Sequence, residues 1–177
     1  WQRGTPARPQ LATPGTTKAR VVIVDMPGSP QTQLRVAGIG APRSSPDFRP
    51  LQLMNQALGG NFASRINMNL REKNGYTYGA SSNFSFRKAA GPFQVGSGVR
   101  TDVTAPAVEE IFNELRGVVE RPVTPEELTR AKDGLANSLA GAFETSSNAV
   151  GNFSNVFIYD LGVDYYARRV VRAPRPE

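Results

Sequence analysis

Leu58-Gly59-Gly60-Asn61-Phe62-Ala63-Ser64-Arg65-Ile66-Asn67-Met68-Asn69-Leu70-Arg71-Glu72-Lys73-Asn74-Gly75-Tyr76-Thr77-Tyr78 is the stretch on which the fold turns. Ahead of it, Leu51, Met54 and Leu58 repeat at helical spacing, and Ser45 followed by Pro46 reads as an N-cap with proline at the first helical position. Gly59-Gly60 predicts the end of that helix, and Phe62–Lys73 a second one closing at Asn74-Gly75. From Tyr76 the period changes to two: Tyr76, Tyr78, Ala80, Ser82, Phe84 and Phe86 share one strand face. Ala89-Ala90-Gly91-Pro92 turns the chain, and Phe93, Val95 and Val99 mark the returning strand of a hairpin.

Working outward, Val21-Val22-Ile23-Val24 is a β-branched run that predicts a buried strand ended by Pro27-Gly28-Ser29-Pro30, and Gln33–Gly40 predicts a second. Downstream, Val108, Ile111, Phe112, Leu115, Val118 and Val119 describe an amphipathic helix. Thr124-Pro125-Glu126-Glu127 is a capping box that opens another, striped by Leu128, Ala131, Leu135 and Leu139. A further helix carries Val150, Phe153 and Phe157 toward Leu161. Strands early and in the middle, with long helices after the hairpin, predict an α+β domain of two layers. Its helices pack on one face of a mixed or antiparallel sheet, without the alternation of a doubly wound fold. The expected organisation is a Pro-rich linker over 1–19, one domain over 20–172 and a tail over 173–177.

The chain has 177 residues, no His and no Cys. Disulfides, thiolate nucleophiles, Ser-His-Asp triads and the usual zinc ligand sets are thereby excluded within this polypeptide. No apolar run approaches the ~20 residues needed to span a bilayer. The formal charge is +6, but the stretch 21–163 carries 13 basic and 13 acidic residues, so the excess belongs to the two ends. A neutral body whose aromatics follow core spacing argues against a nucleic-acid module. The chain opens at Trp1 and not at Met, which leads to the expectation of a fragment of a longer protein.

The block Leu58–Tyr78 resembles the second, non-catalytic half of the pitrilysin/insulinase-type zinc metallopeptidases, the inverzincins. In that family a helix ends in Leu-Gly-Gly, a Ser-Arg pair follows, and then Leu-Arg-Glu-Lys-x-Gly-x-x-Tyr, which stands here as Leu70 to Tyr78. Thr124–Lys132 and Asp164-Tyr165-Tyr166 also look familial, and the likeness runs over roughly 18–172. It implies half of a clamshell, truncated before the last helix and strand. A catalytic half, in the same polypeptide or a separate subunit, would hold zinc and hydrolyse a peptide substrate. This chain would itself carry no cofactor and would be inactive alone.

Carried over residue by residue, the resemblance assigns substrate binding and oxyanion support to Arg71 and Tyr78. A guanidinium offers a fork of fixed donors to carbonyls or a carboxylate, and a phenol can donate to a tetrahedral oxyanion. Spacing alone supports plainer readings: Tyr78 as a core aromatic beside Tyr76, Phe84 and Phe86, and Arg71 as a surface residue paired with a nearby Glu. The place of the zinc motif falls on Leu51-Gln52-Leu53-Met54-Asn55, which offers no ligand set. Gly96-Ser97-Gly98 reads as strand glycines and not as a phosphate loop, and Glu109, Glu110, Glu114 and Glu120 as a solvated helix face. The leading expectation is therefore a substrate-positioning half of a zinc metalloendopeptidase, and the alternative a degenerate scaffold subunit of an assembly. Arg/Ala/Pro-rich composition and family habit lean toward a bacterial periplasm or envelope, while leaving the compartment open.

Overall fold

The computed structural model describes residues 18–171 together with Gly4, Ala12 and Gly15, so the expected linker and tail lie almost wholly outside the described residues. Its sheet is three-stranded and antiparallel, in the order β1-β3-β2. β1 (Gln31–Ile39) pairs along its whole length with β3 (Pro92–Arg100), and β2 (Thr77–Phe84) lies on the other side of β3. Between β1 and β2 run α1 (Phe48–Asn55), which widens into a π-helical turn over Gln56–Gly60, and α2 (Arg65–Asn67), which widens likewise over Met68–Lys73. After β3, a 3₁₀ turn (Thr101–Val103) leads into α3 (Thr104–Glu120), followed by α4 (Pro125–Gly141), α5 (Ser146–Ile158) and α6 (Tyr165–Val171). This is the expected α+β architecture. No helix among the described residues is long and apolar enough to cross a membrane.

One face of the sheet makes the core. Leu34, Ala80, Val95 and Val99 meet Leu58, Ile66 and Leu70 from α1 and α2, and Ala107 and Ile111 from α3. Gly96 and Gly98 sit within β3 as ordinary strand residues, with Arg35 and Gln33 of β1 lying across them. The capping box forms as expected: Glu127 N–H donates to Thr124 Oγ1 (3.2 Å) and Thr124 N–H to Glu127 Oε2 (2.9 Å).

Several expectations are corrected. Val21–Val24 is not a buried strand: it pairs with nothing among the described residues, and its side chains are 71–88% exposed. A β-branched run becomes a strand only where a neighbour supplies its ladder bonds, and none lies beside it. The first helix starts at Phe48, because the Ser45 hydroxyl accepts from Asp47 N–H (3.2 Å) and holds a turn before the helix proper. Of the α3 stripe, Ile111 is buried and Val108, Leu115 and Val118 are half-buried, but Phe112 and Val119 face outward. In α5 it is Val156 that is buried, while Val150, Phe153 and Phe157 are exposed. Both helices bury a narrower face than a full 3.6-residue stripe.

Gly59 does not stop the helix. The backbone continues through it in the π turn, and a Cβ there would stand 2.3 Å from Ser82 Oγ and 2.6 Å from Ser82 N. Glycine is needed so that the helix can press against the edge of β2. Gly59→Ala is accordingly expected to lower stability by about 1–3 kcal/mol, the usual cost of overpacking, visible as a reduced urea midpoint.

The Arg65 guanidinium meets the Glu127 carboxylate through two bonds of 2.6 Å, with the two side chains only 14% and 15% exposed. That fork pulls the Glu127 carboxyl below the usual carboxylate range. A carboxyl depressed in the folded state stabilises above its unfolded pKa, and the contribution fades as pH falls through that range and below. Glu127→Gln should cost about 2–4 kcal/mol at pH 7 and flatten the acid limb of a stability–pH curve.

Candidate functional site

The two residues singled out by sequence flank one joint. Leu70 to Tyr76 closes the widened end of α2: Asn74 N–H returns to Asn69 O (3.1 Å), Gly75 N–H to Arg71 O (3.1 Å) and Tyr76 N–H to Leu70 O (2.8 Å). Gly75 takes φ +62°, the left-handed conformation that lets the chain reverse into β2. Arg71 thus sits in the last turn of the helix and Tyr78 at the start of the strand.

Tyr78 is 89% exposed, which overturns the reading of it as a core aromatic. The cause is a bulge. Thr77 opposes Val99 and Ala80 opposes Ser97, so β2 places Tyr78 and Gly79 opposite a single β3 residue, Gly98. The Thr77 hydroxyl clamps this irregularity, donating to Gly98 O (2.6 Å) or Gly79 O (2.9 Å) and accepting from Gly79 N–H (3.1 Å). Ser97, buried behind it, bonds to Thr77 Oγ1 (3.0 Å) and Gly79 O (3.1 Å). Simple alternation puts Tyr78 on the core face with Ala80 and Ser82; the bulge turns it outward. Its hydroxyl bonds to no other described residue.

Arg71 keeps 36% of its side chain exposed. The guanidinium carbon lies 4.5 Å from the centroid of the Phe62 ring, itself exposed, and Nε is 3.4 Å from Glu72 Oε1. Pairing with a neighbouring Glu, the plainer expectation, does occur, but at a half-open contact of little energetic weight. The ring face supports the guanidinium, a stacking that engages the flat of the group and not its edge donors.

Strand and helix are tied by asparagines that sequence reasoning did not single out. Asn67 Nδ2 donates to Phe62 O (2.7 Å) while its Oδ1 accepts from Ala80 N–H (3.0 Å). Asn55 Nδ2 donates to Ser82 O (3.0 Å), and Ser82 Oγ donates to Asn55 Oδ1 (2.8 Å). Arg71 lies one turn beyond Asn67 and Tyr78 two residues before Ala80, so the Asn67–Ala80 bond sets the spacing of the helix and strand that carry them. The signal in the sequence is slight: asparagine at a helical position otherwise facing a core.

On the far side of α2, Asn69 Nδ2 donates to Glu110 Oε2 (2.7 Å) and Glu114 Oε1 (2.6 Å), and its Oδ1 accepts from Asn74 (2.6 Å). Glu110 and Glu114 are therefore bound to the helix turn and are not part of a wholly solvated face. A shallow open depression lined by Arg65, Met68, Asn69, Lys73, Glu114 and Arg121 lies there, with Asn69 bonded to Glu114 across it and Arg65 engaged by Glu127.

Among the described residues no three His, Cys, Asp or Glu side chains gather as a metal site. Leu51–Asn55 lies in α1, with Met54 against the core and Asn55 bonded to Ser82, so the residues at that place do not fit a zinc ion.

Comparison with known proteins places these features. Residues 1–135 match the family described as the peptidase M16 inactive domain. An uncharacterized zinc protease of Streptomyces coelicolor is 28% identical over 157 residues, which are 87% of this chain and 32% of that protein. The crystal structure of a peptidase M16 inactive domain from Pseudomonas fluorescens superposes with a TM-score of 0.74 at 29% identity, covering 84% of this chain and 36% of that one. A protease from Helicobacter pylori shares the fold with a TM-score of 0.72 at 19% identity, covering 85% of this chain and 37% of that one. The chain thus spans about a third of the length of each of these.

If the Thr77 hydroxyl holds the bulge, Thr77→Val removes the clamp while keeping the shape. It should cost about 1–2 kcal/mol and slow nitration of Tyr78, followed by peptide mapping. Unchanged stability with unchanged labelling would show that the bulge stands without it.

Proposed function

The chain belongs to the peptidase M16 inactive-domain family, and from that premise we propose that it is the substrate-positioning half of a zinc metalloendopeptidase. It closes a chamber opposite a half that holds the zinc and carries the hydrolysis. The observation that carries this reading is the Tyr78 hydroxyl, held outward on a clamped bulge with no partner among the described residues, beside the helix end that presents Arg71. The zinc proteases among its relatives support the chemistry of the missing half.

Within such a chamber Arg71 binds the peptide, its outward N–H groups meeting backbone carbonyls or a carboxylate. Tyr78 donates its O–H to the oxygen on which negative charge develops as the carbonyl becomes tetrahedral. Neither residue moves a proton to or from the attacking water. Their contribution is position and charge stabilisation, which require a rigid seat, and the bonds of Thr77, Ser97 and Asn67 supply one.

Peptide hydrolysis by the full-length protein, or by this chain recombined with a zinc-bearing half, tests the assignment. Tyr78→Phe should lower kcat by ~10²–10³ with little change in stability, as expected for loss of one oxyanion donor. Arg71→Ala should act chiefly on KM. Wild-type kinetics in both variants would remove the assigned roles and favour a scaffold subunit.

A further inference from the structure

The end of the molecule near the β2–β3 connection carries two arginines with no acidic partner among the described residues. Arg43, in the loop before α1, and Arg49, in its first turn, both donate through Nη2 to the hydroxyl oxygen of Tyr165 at the start of α6, at 2.7 and 2.8 Å. The Arg43 guanidinium carbon lies 3.6 Å from the centroid of the Phe48 ring and 5.4 Å from that of Tyr165, and that of Arg49 lies 5.4 Å from each. The rings are themselves braced: Phe48 is buried with the edge of Phe86 at 4.6 Å, and Tyr165 packs on Tyr166 at 5.0 Å. Arg43 N–H donates to Arg87 O (2.7 Å), fixing the loop.

Every ion pair among the described residues lies elsewhere: Arg65–Glu127, Arg71–Glu72, Arg100–Asp102 and Arg168–Asp164. Burial holds the Arg43 guanidinium below its ordinary value, and the charge of Arg49 beside it lowers it further. Two guanidiniums converging on one hydroxyl oxygen repel each other, an arrangement stabilised when an anion lies between them. Toward the described residues each keeps donors unused, since Arg49 spends only one more N–H, on Gln52 Oε1 (3.5 Å), and Arg43 none. Four amides around the pair are already committed: Arg43 N–H to Arg87 O, Ser45 N–H to Pro42 O, Asp47 N–H to the Ser45 hydroxyl and Phe48 N–H to Ser45 O. Planar forks with aromatic walls suit a planar anion of two oxygens carried on an organic residue.

We propose that Arg43, Arg49 and Tyr165 form a binding site for a peptide carboxylate, from a chain terminus or an acidic side chain. The site shares no residue with Arg71 or Tyr78 and stands whether or not those two bind substrate.

Calorimetric titration of the full-length protein in a chloride buffer tests it with three peptides of equal length. One has a free C-terminus and no acidic residue, one is amidated with a single Glu, and one is amidated without acid. At least one of the first two should bind roughly tenfold tighter than the third, and which of them does so identifies the source of the carboxylate. Arg43→Lys, which keeps the charge but loses the fork, should remove most of that difference. Arg49→Gln should do the same if Arg43→Lys does not fold. Indistinguishable peptides, a difference that survives both substitutions at the site, or tighter binding of inorganic phosphate than of any peptide would overturn the proposal.

Discussion

The fork between Arg65 and Glu127 is the constraint on which the arrangement of helices depends. Arg65 opens α2, and Glu127 lies in the first turn of α4, 62 residues further along the chain. Beyond its two bonds to the carboxylate, Arg65 donates to Arg121 O and Pro122 O, both at 3.1 Å. A single guanidinium therefore gathers the end of α3, the turn after it and the cap of α4. Glu127 is shared in the same way, because the carboxylate oxygen that meets Arg65 also accepts from Thr124 N–H. Lysine could not replace the arginine, having one point of charge where several fixed donors are used.

With α2 anchored at its start, its far end is left to be shaped by local bonds. There the helix widens, the Asn69–Asn74 bonds hold the wide turn, and Gly75 redirects the chain. The bulge then turns Tyr78 out of the sheet. These devices are small and consecutive, and π turns and bulges both recur where a side chain must be aimed away from regular geometry. With no His and no Cys, the chain offers a zinc ion none of its usual nitrogen or sulfur ligands.

Much of this was legible in the residues. Period changes located the helices and the hairpin, and Thr124-Pro125-Glu126-Glu127 gave α4 its start to the residue. The ordered block from Leu58 to Tyr78 led to the right family. What stayed hidden was set by pairs far apart in sequence. Gly59 looks like a helix stop until Ser82 is seen against it, and Tyr78 looks like core until the count of residues opposite Val99 and Ser97 reveals the bulge. The β-branched run at Val21–Val24 shows the converse failure: strand propensity names a residue's preference and not the neighbour that must satisfy it. The stripes of α3 and α5 overstate burial for a related reason, since periodicity marks an apolar face without saying how much of it is covered.

The asparagines that lock β2 to the helices have a consequence for how this sheet can grow. The backbone groups of Ala80 and Ser82 that point away from β3 are the ones a further strand would need. Asn67 takes the N–H of Ala80, Asn55 takes the carbonyl of Ser82, and Gly59 packs against Ser82. That edge is closed to strand addition. β1, on the opposite side, has no described strand along its outer edge. Any extension of the sheet, by another part of a longer protein or by another chain, must therefore come alongside β1, which gives the domain a fixed polarity of assembly.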